Sequence, residues 1–137
     1  MQRKDIIRLA IEERWRGDDA SEICLQILDF ISSKSDQNEV MLNYADLHRI
    51  TGKKFDNTVL QRALAILISR FSALKLGLVF FDENGQAFYL DREQKFEFVE
   101  NGYLAHPETG QDVEDAENRT YPYYLAYPSE LLKEVAF

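Results

Sequence analysis

The chain has one cysteine, Cys24, two histidines and three prolines, and no apolar run long enough to cross a bilayer. Each scarcity excludes something. One cysteine cannot build a disulfide framework or a cysteine-rich zinc site, and it fits a reducing compartment. A membrane helix needs about 18 consecutive apolar residues, and charged side chains interrupt this chain well before that. Charges also run through the opening residues, which do not read as a secretory leader. The expected location is therefore the cytoplasm, and the Asn118-Arg119-Thr120 sequon has no meaning there. Two histidines fall short of the three or four ligands that a zinc site requires, so no metal is expected. No glycine-rich phosphate loop or nucleophile elbow is present, so no cofactor, no catalytic residue and no enzymatic activity are expected. Asp112, Glu114, Asp115 and Glu117 crowd together without the alternating order and closing glutamate of a calcium loop, and they read as a solvated acidic run.

What remains is enough for a folded domain. The chain has 137 residues, 45% of them hydrophobic and 12% aromatic, which is ample for a core. Sixteen basic residues against 24 acidic ones give a formal charge of −8. That charge is unevenly spread. Met1 to His48 sums to −4, Arg49 to Lys75 to +5, and Leu76 to Phe137 to −9. A basic island lies between two acidic flanks.

Periodicity and capping signals give a coarse element order. Gln2 to Arg16 reads as a helix stopped by Gly17, with Ile6, Ile7, Ala10 and Ile11 on one side. Asp19 and Glu22 suggest a capping box opening a second helix through about Lys34, whose buried stripe is Ile23, Cys24, Ile27, Phe30 and Ile31. Cys24 belongs to that stripe as a core thiol. Val40 to Leu42 reads as a very short strand. Asn43 caps a short helix, Tyr44 to Thr51, which Gly52 ends. After a turn, Asp56 or Asn57 caps a longer helix to about Ala73. Two helices joined by so tight a turn form a helix-turn-helix.

Asn84-Gly85 is the preferred pair for a two-residue type I′ hairpin loop between Leu76–Phe81 and Ala87–Leu90. Such a loop sets Phe81 opposite Phe88 and Val79 opposite Leu90, and places those four on one apolar face. Phe80 and Tyr89 then fall on the other face, free for a partner. On this reading the core is complete by Leu90.

From Asp19 to Asp91 this order of elements, closed by the Asn-Gly hairpin, resembles the winged helix-turn-helix superfamily. The expected class is α+β, mainly helical with a small hairpin. The expected divisions are an accessory helix over residues 1–18, a winged-helix domain over 19–98 and an acidic, tyrosine-rich extension over 99–137. The resemblance implies a second motif helix that enters the DNA major groove and a wing that touches the backbone. Carried onto this chain, it makes Arg49, Lys53, Lys54, Thr58, Gln61 and Arg62 the candidate nucleic-acid contacts. The exposed stripe of that helix is expected to be Thr58, Gln61, Arg62, Ala65, Ser69 and Ser72.

Other features point to proteins as partners. The wing tip, Asp82-Glu83-Asn84-Gly85-Gln86, carries acids where a phosphate contact needs a cation. Tyr121, Pro122, Tyr123, Tyr124, Tyr127 and Pro128 should form an extended segment, since proline disfavours helices and central strands. Ser129 then caps a final helix bearing Leu131, Leu132, Val135 and Phe137. Clustered tyrosines suit interfaces, so Phe80, Tyr89, Tyr121, Tyr123, Tyr124 and Tyr127 are the candidate protein contacts. The leading functional expectation is a non-enzymatic adaptor or small subunit that binds another protein or a second copy, within a nucleic-acid-handling assembly. The alternatives are a DNA-reading regulator and an acidic mimic of DNA.

Overall fold

The caps written in the sequence are satisfied locally. In the computed structural model, which describes residues 1–136, the elements run α1 (Arg3–Arg14), α2 (Asp19–Ser32), β1 (Val40–Leu42), α3 (Tyr44–Thr51), α4 (Thr58–Ser69), β2 (Lys75–Phe81), β3 (Ala87–Tyr89), α5 (Arg92–Asn101), β4 (Thr120–Ala126) and α6 (Pro128–Leu131). The class is mixed α+β. Asn43 and Asp46 close a reciprocal capping box at the start of α3, and Asn57 accepts from the amides of Val59 and Leu60 at the start of α4. The cap of α2 is Asp18, one residue earlier than expected, accepting from Ala20. Helix α4 ends at Ser69, short of Ala73. The final helix starts at Pro128, not behind Ser129, with proline in its first turn. Phe137 lies outside the described residues.

The strand order is β1-β4-β2-β3. Strand β1 pairs antiparallel with β4, Val40 opposite Ala126 and Leu42 opposite Tyr124. The tyrosine segment, expected to be extended but outside any central strand, is thus an interior strand. Its Pro122 is tolerated for a specific reason. Pairing with β1 stops at Tyr124, so the missing amide falls beyond the reach of that neighbour.

The chain forms two compact units, Met1–Lys75 with Tyr124–Phe137, and Leu76–Tyr123. This division differs from the expected boundaries at 18/19 and 98/99. Strand β4 contributes its first four residues to the second unit and its last three to the first.

The first unit is organised around α2, which packs against α1, α3, α4 and α6. Its core holds Ile11, Cys24, Ile27, Ile31, Leu47, Leu60, Leu64 and Leu67, together with Tyr124, Ala126 and Leu131. The last three overturn the expectation that the core closes by Leu90. A strand as short as β1 gains its apolar cover and its ladder from β4.

The second unit has its own core of Leu78, Phe80, Leu90, Leu104 and Ala116, with Phe88, Phe98 and Val113 packed on it. The hairpin register is shifted by one residue from the expected one. Phe80 faces Phe88, Val79 faces Tyr89 and Phe81 faces Ala87. A type I′ loop needs positive φ at both Asn84 and Gly85. Only Gly85 has it, at 77°. The carboxylate of Asp82 accepts from the amides of Asn84 (3.0 Å) and Gln86 (2.9 Å). Gly85 donates to the Asp82 carbonyl and Asp82 to that of Gln86. The loop is therefore three residues, Glu83 to Gly85, with glycine in the left-handed position. One added loop residue changes which side chains share a face. Phe80 is 1% exposed and Phe81 39%, the reverse of the expectation.

The large-to-small change Phe80→Ala should thus cost roughly 3 kcal/mol or more, whereas Phe81→Ala should cost less than about 1 kcal/mol. Urea unfolding of the two variants checks this. Equal losses would place both rings in the core and contradict the three-residue loop.

Candidate functional site

The expected nucleic-acid contacts all lie in the first unit. Thr58, Gln61, Arg62, Ala65 and Ser69 are exposed, as the periodicity of α4 requires, and Ser72, beyond the end of the helix, is exposed as well. Several of the polar groups are already engaged. Gln61 donates through Nε2 to the Phe55 carbonyl (2.6 Å) and the Tyr44 hydroxyl (3.2 Å), bracing the turn between α3 and α4. Arg62 forms an ion pair with Asp18, the cap of α2. The Ala20 amide, and then this guanidinium, hold the Asp18 carboxyl below its ordinary value. Arg49 pairs with Asp46 within α3. Lys53 is half-buried, Lys54 is exposed, and neither forms an ion pair among the described residues.

The expected protein contacts divide differently from the sequence reading. Phe80 is unavailable because the shifted register buries it beside Phe88 and His106, with ring centroids 6.1 and 5.7 Å away. Tyr124 is 4% exposed and its hydroxyl lies 3.3 Å from that of Tyr44; burial, then this hydrogen bond, raises its pKa. Tyr127 is half-buried beneath the Lys75 ammonium. Tyr89 and Tyr121 remain, exposed at 57% and 52%, with Tyr123 half-buried.

Phe81 joins the exposed residues. Its ring meets Tyr121 edge-on at 5.8 Å, and Tyr89 meets Tyr123 in the same way at 5.4 Å. The Tyr123 ring lies over Gly77, where any Cβ would overlap it. The missing Cβ of Gly77 admits this close approach, and its backbone angle is not the left-handed one. The second unit thus presents one aromatic face built from β2, β3 and the start of β4. Helix α5 also carries two exposed apolar side chains of its own, Phe96 and Val99. Its sequence lacks an apolar stripe, but the Asp91–Gln94 capping box and the left-handed Gly102 mark its ends.

Charge sets the two units apart. The first has thirteen acidic and thirteen basic residues, while the second has eleven acidic and three basic, so the whole formal −8 resides on Leu76–Tyr123. Among the described residues, four ion pairs lie in the first unit. Among the described residues the second has only His106–Asp82, at 3.3 Å, which is ionic only when the imidazole is protonated.

The side chains most capable of acid–base or nucleophilic chemistry have structural partners. Nδ1 of His106 accepts from the amides of Glu108 (3.1 Å) and Thr109 (3.4 Å). Its proton is therefore on Nε2, donated to Asp82. Nδ1 of His48 faces the Lys53 carbonyl at 3.2 Å. The Cys24 thiol is fully buried, donates to the Ala63 carbonyl, and is pushed up to about 12 by burial. Among the described residues, no group of three His, Cys, Asp or Glu side chains could hold a metal ion, and no helix is long and apolar enough to cross a membrane. No family model matches the chain, nor does any curated protein or solved structure.

Two outcomes follow. Cys24 should not react with a thiol reagent at about pH 8 in the native protein, since a nucleophile must be thiolate; full modification should appear only after unfolding. Rapid native labelling would contradict the buried placement. For Asp82, the Gln86 amide, and then the His106 hydrogen bond, keep its carboxyl below the ordinary value. A depressed pKa contributes stability above the unfolded value of about 3.9, lost as pH falls through the folded one. Asp82→Asn should therefore flatten the acid limb of the stability profile below about pH 4, as read by urea midpoints. Parallel profiles for the two proteins would contradict it.

Proposed function

We propose that the chain is a non-enzymatic adaptor of winged helix-turn-helix type, whose Leu76–Tyr123 unit engages a basic protein. The tight α3–α4 turn and the hairpin after α4 support the winged-helix reading. One observation carries the functional reading: eleven acidic residues against three basic ones, without a permanent ion pair among the described residues, beside exposed Phe81, Tyr89 and Tyr121. Uncompensated charge of one sign steers an oppositely charged partner, and aromatic rings supply contact area at low entropic cost. An assembly that handles nucleic acid contains basic proteins, so the reading suits such a setting.

The open stripe of α4 with Lys53 and Lys54 favours a second reading, duplex binding. Against it stand the engaged Gln61 and Arg62 and the acidic hairpin loop.

One experiment separates the two. The full chain is titrated with an arginine-rich peptide and with a mixed-sequence duplex at about 0.15 M salt. The peptide should bind and weaken as salt rises, while the duplex should not form a tight complex. Glu83→Gln, Glu114→Gln and Glu117→Gln together should weaken the peptide roughly tenfold, if each exposed pair contributes about 0.5 kcal/mol. Tight duplex binding that Arg62→Ala abolishes would replace the adaptor reading with the regulator reading.

A further inference from the structure

The free edge of β3 and the aromatic face beside it form one surface. Strand β3 is last in the order β1-β4-β2-β3, so among the described residues no strand pairs with one of its sides. In an antiparallel pair, alternate residues direct their backbone groups at the partner strand. Phe88 faces Phe80 in the register, Asp82 donates to Gln86, and Leu90 donates to Leu78. These bonds turn Gln86, Phe88 and Leu90 toward β2. Ala87 and Tyr89 therefore point their amides and carbonyls off the edge. The strand itself, Ala87-Phe88-Tyr89, carries neither the lysine nor the proline that commonly blunts such an edge.

A strand added at this edge would place its alternate side chains on the same face as Tyr89. That face carries exposed Tyr89, Phe81 and Tyr121, on a unit with a formal charge of −8. Ring faces attract guanidinium groups, and the surrounding carboxylates attract any cation. An extended segment with arginine at alternate positions meets both demands, while its backbone meets the third. A second copy of this chain would bring a like-charged unit to the same edge.

We propose that the β3 edge binds an extended, arginine-bearing segment of a basic protein by strand addition, with alternate arginines over Tyr89 and Phe81. This rests on the reading of Leu76–Tyr123 as the partner-binding unit.

The test uses the full chain and two labelled peptides in fluorescence anisotropy: alternating Arg-Val repeats, and the same peptide N-methylated at every backbone amide. Methylation keeps the charge and removes the backbone donors. The parent should bind at least tenfold more tightly than the methylated form. Tyr89→Ala should weaken the parent by a similar factor, and Tyr89→Phe should leave it nearly unchanged. Should Tyr89→Ala disturb the fold, as circular dichroism would reveal, the methylated peptide on the wild-type chain still decides. Equal binding of both peptides, with the triple glutamate-to-glutamine variant still weakening them, would overturn strand addition and leave the acidic reading standing. No binding of either peptide would overturn both. Sedimentation showing a dimer that excludes the peptide would assign the edge to a second copy instead.

Discussion

A hairpin whose loop gains or loses one residue changes the set of side chains that share each face, and the carboxylate of Asp82 decides which loop forms here. By accepting from the amides of Asn84 and Gln86 it closes a three-residue loop, and Gly85 supplies the single positive φ that loop needs. The same carboxylate meets His106, whose ring packs on Phe80 and Phe88. Register, second core and aromatic face are thus three consequences of one side chain. A type I′ loop with the same strands would place Phe81, not Phe80, on the face of Phe88.

The distribution of charge has its own physical logic. Like charges on a small unit repel one another and oppose its compaction. The Leu76–Tyr123 unit tolerates this because Phe80, Leu78, Leu90 and Leu104 bury apolar surface that the repulsion does not touch. Its carboxylates accept hydrogen bonds from neutral groups: Asp91 from the Gln94 backbone amide, Asp112 from the Tyr103 hydroxyl, Asp115 from the Asn118 side-chain amide. These fix geometry without cancelling charge, so the unit keeps its negative field. The first unit does the opposite, matching its acids and bases in number.

Legibility in the sequence followed the range of the interactions involved. Asn43, Gly52 and Asn57 act within a few residues, and both the helices they bound and the exposed stripe of α4 could be read directly. The hairpin was legible as a hairpin but not in register, because Asn-Gly suits two loops and a third residue, Asp82, chooses between them. Strand β4 was hidden by Pro122, since its tolerance depends on where β1 stops pairing. Phe80 and Tyr124 were misassigned as contact residues for these same two reasons. Helix α5 was missed because it buries no residue completely, leaving its caps as the only signal.

The pairing of β1 with β4 joins residues far apart in the sequence, Val40 with Ala126. Contacts of such separation are slow to form, because the intervening chain must first be ordered against its entropy. During synthesis the consequence is sharper. The helices α1 to α4 and strand β1 are made long before β4 leaves the ribosome. In that interval Val40 to Leu42 is an edge without its ladder, and the first core lacks Tyr124, Ala126 and Leu131. The nascent protein is therefore at its most vulnerable to mispairing or chaperone capture just before Tyr124 to Leu131 arrive.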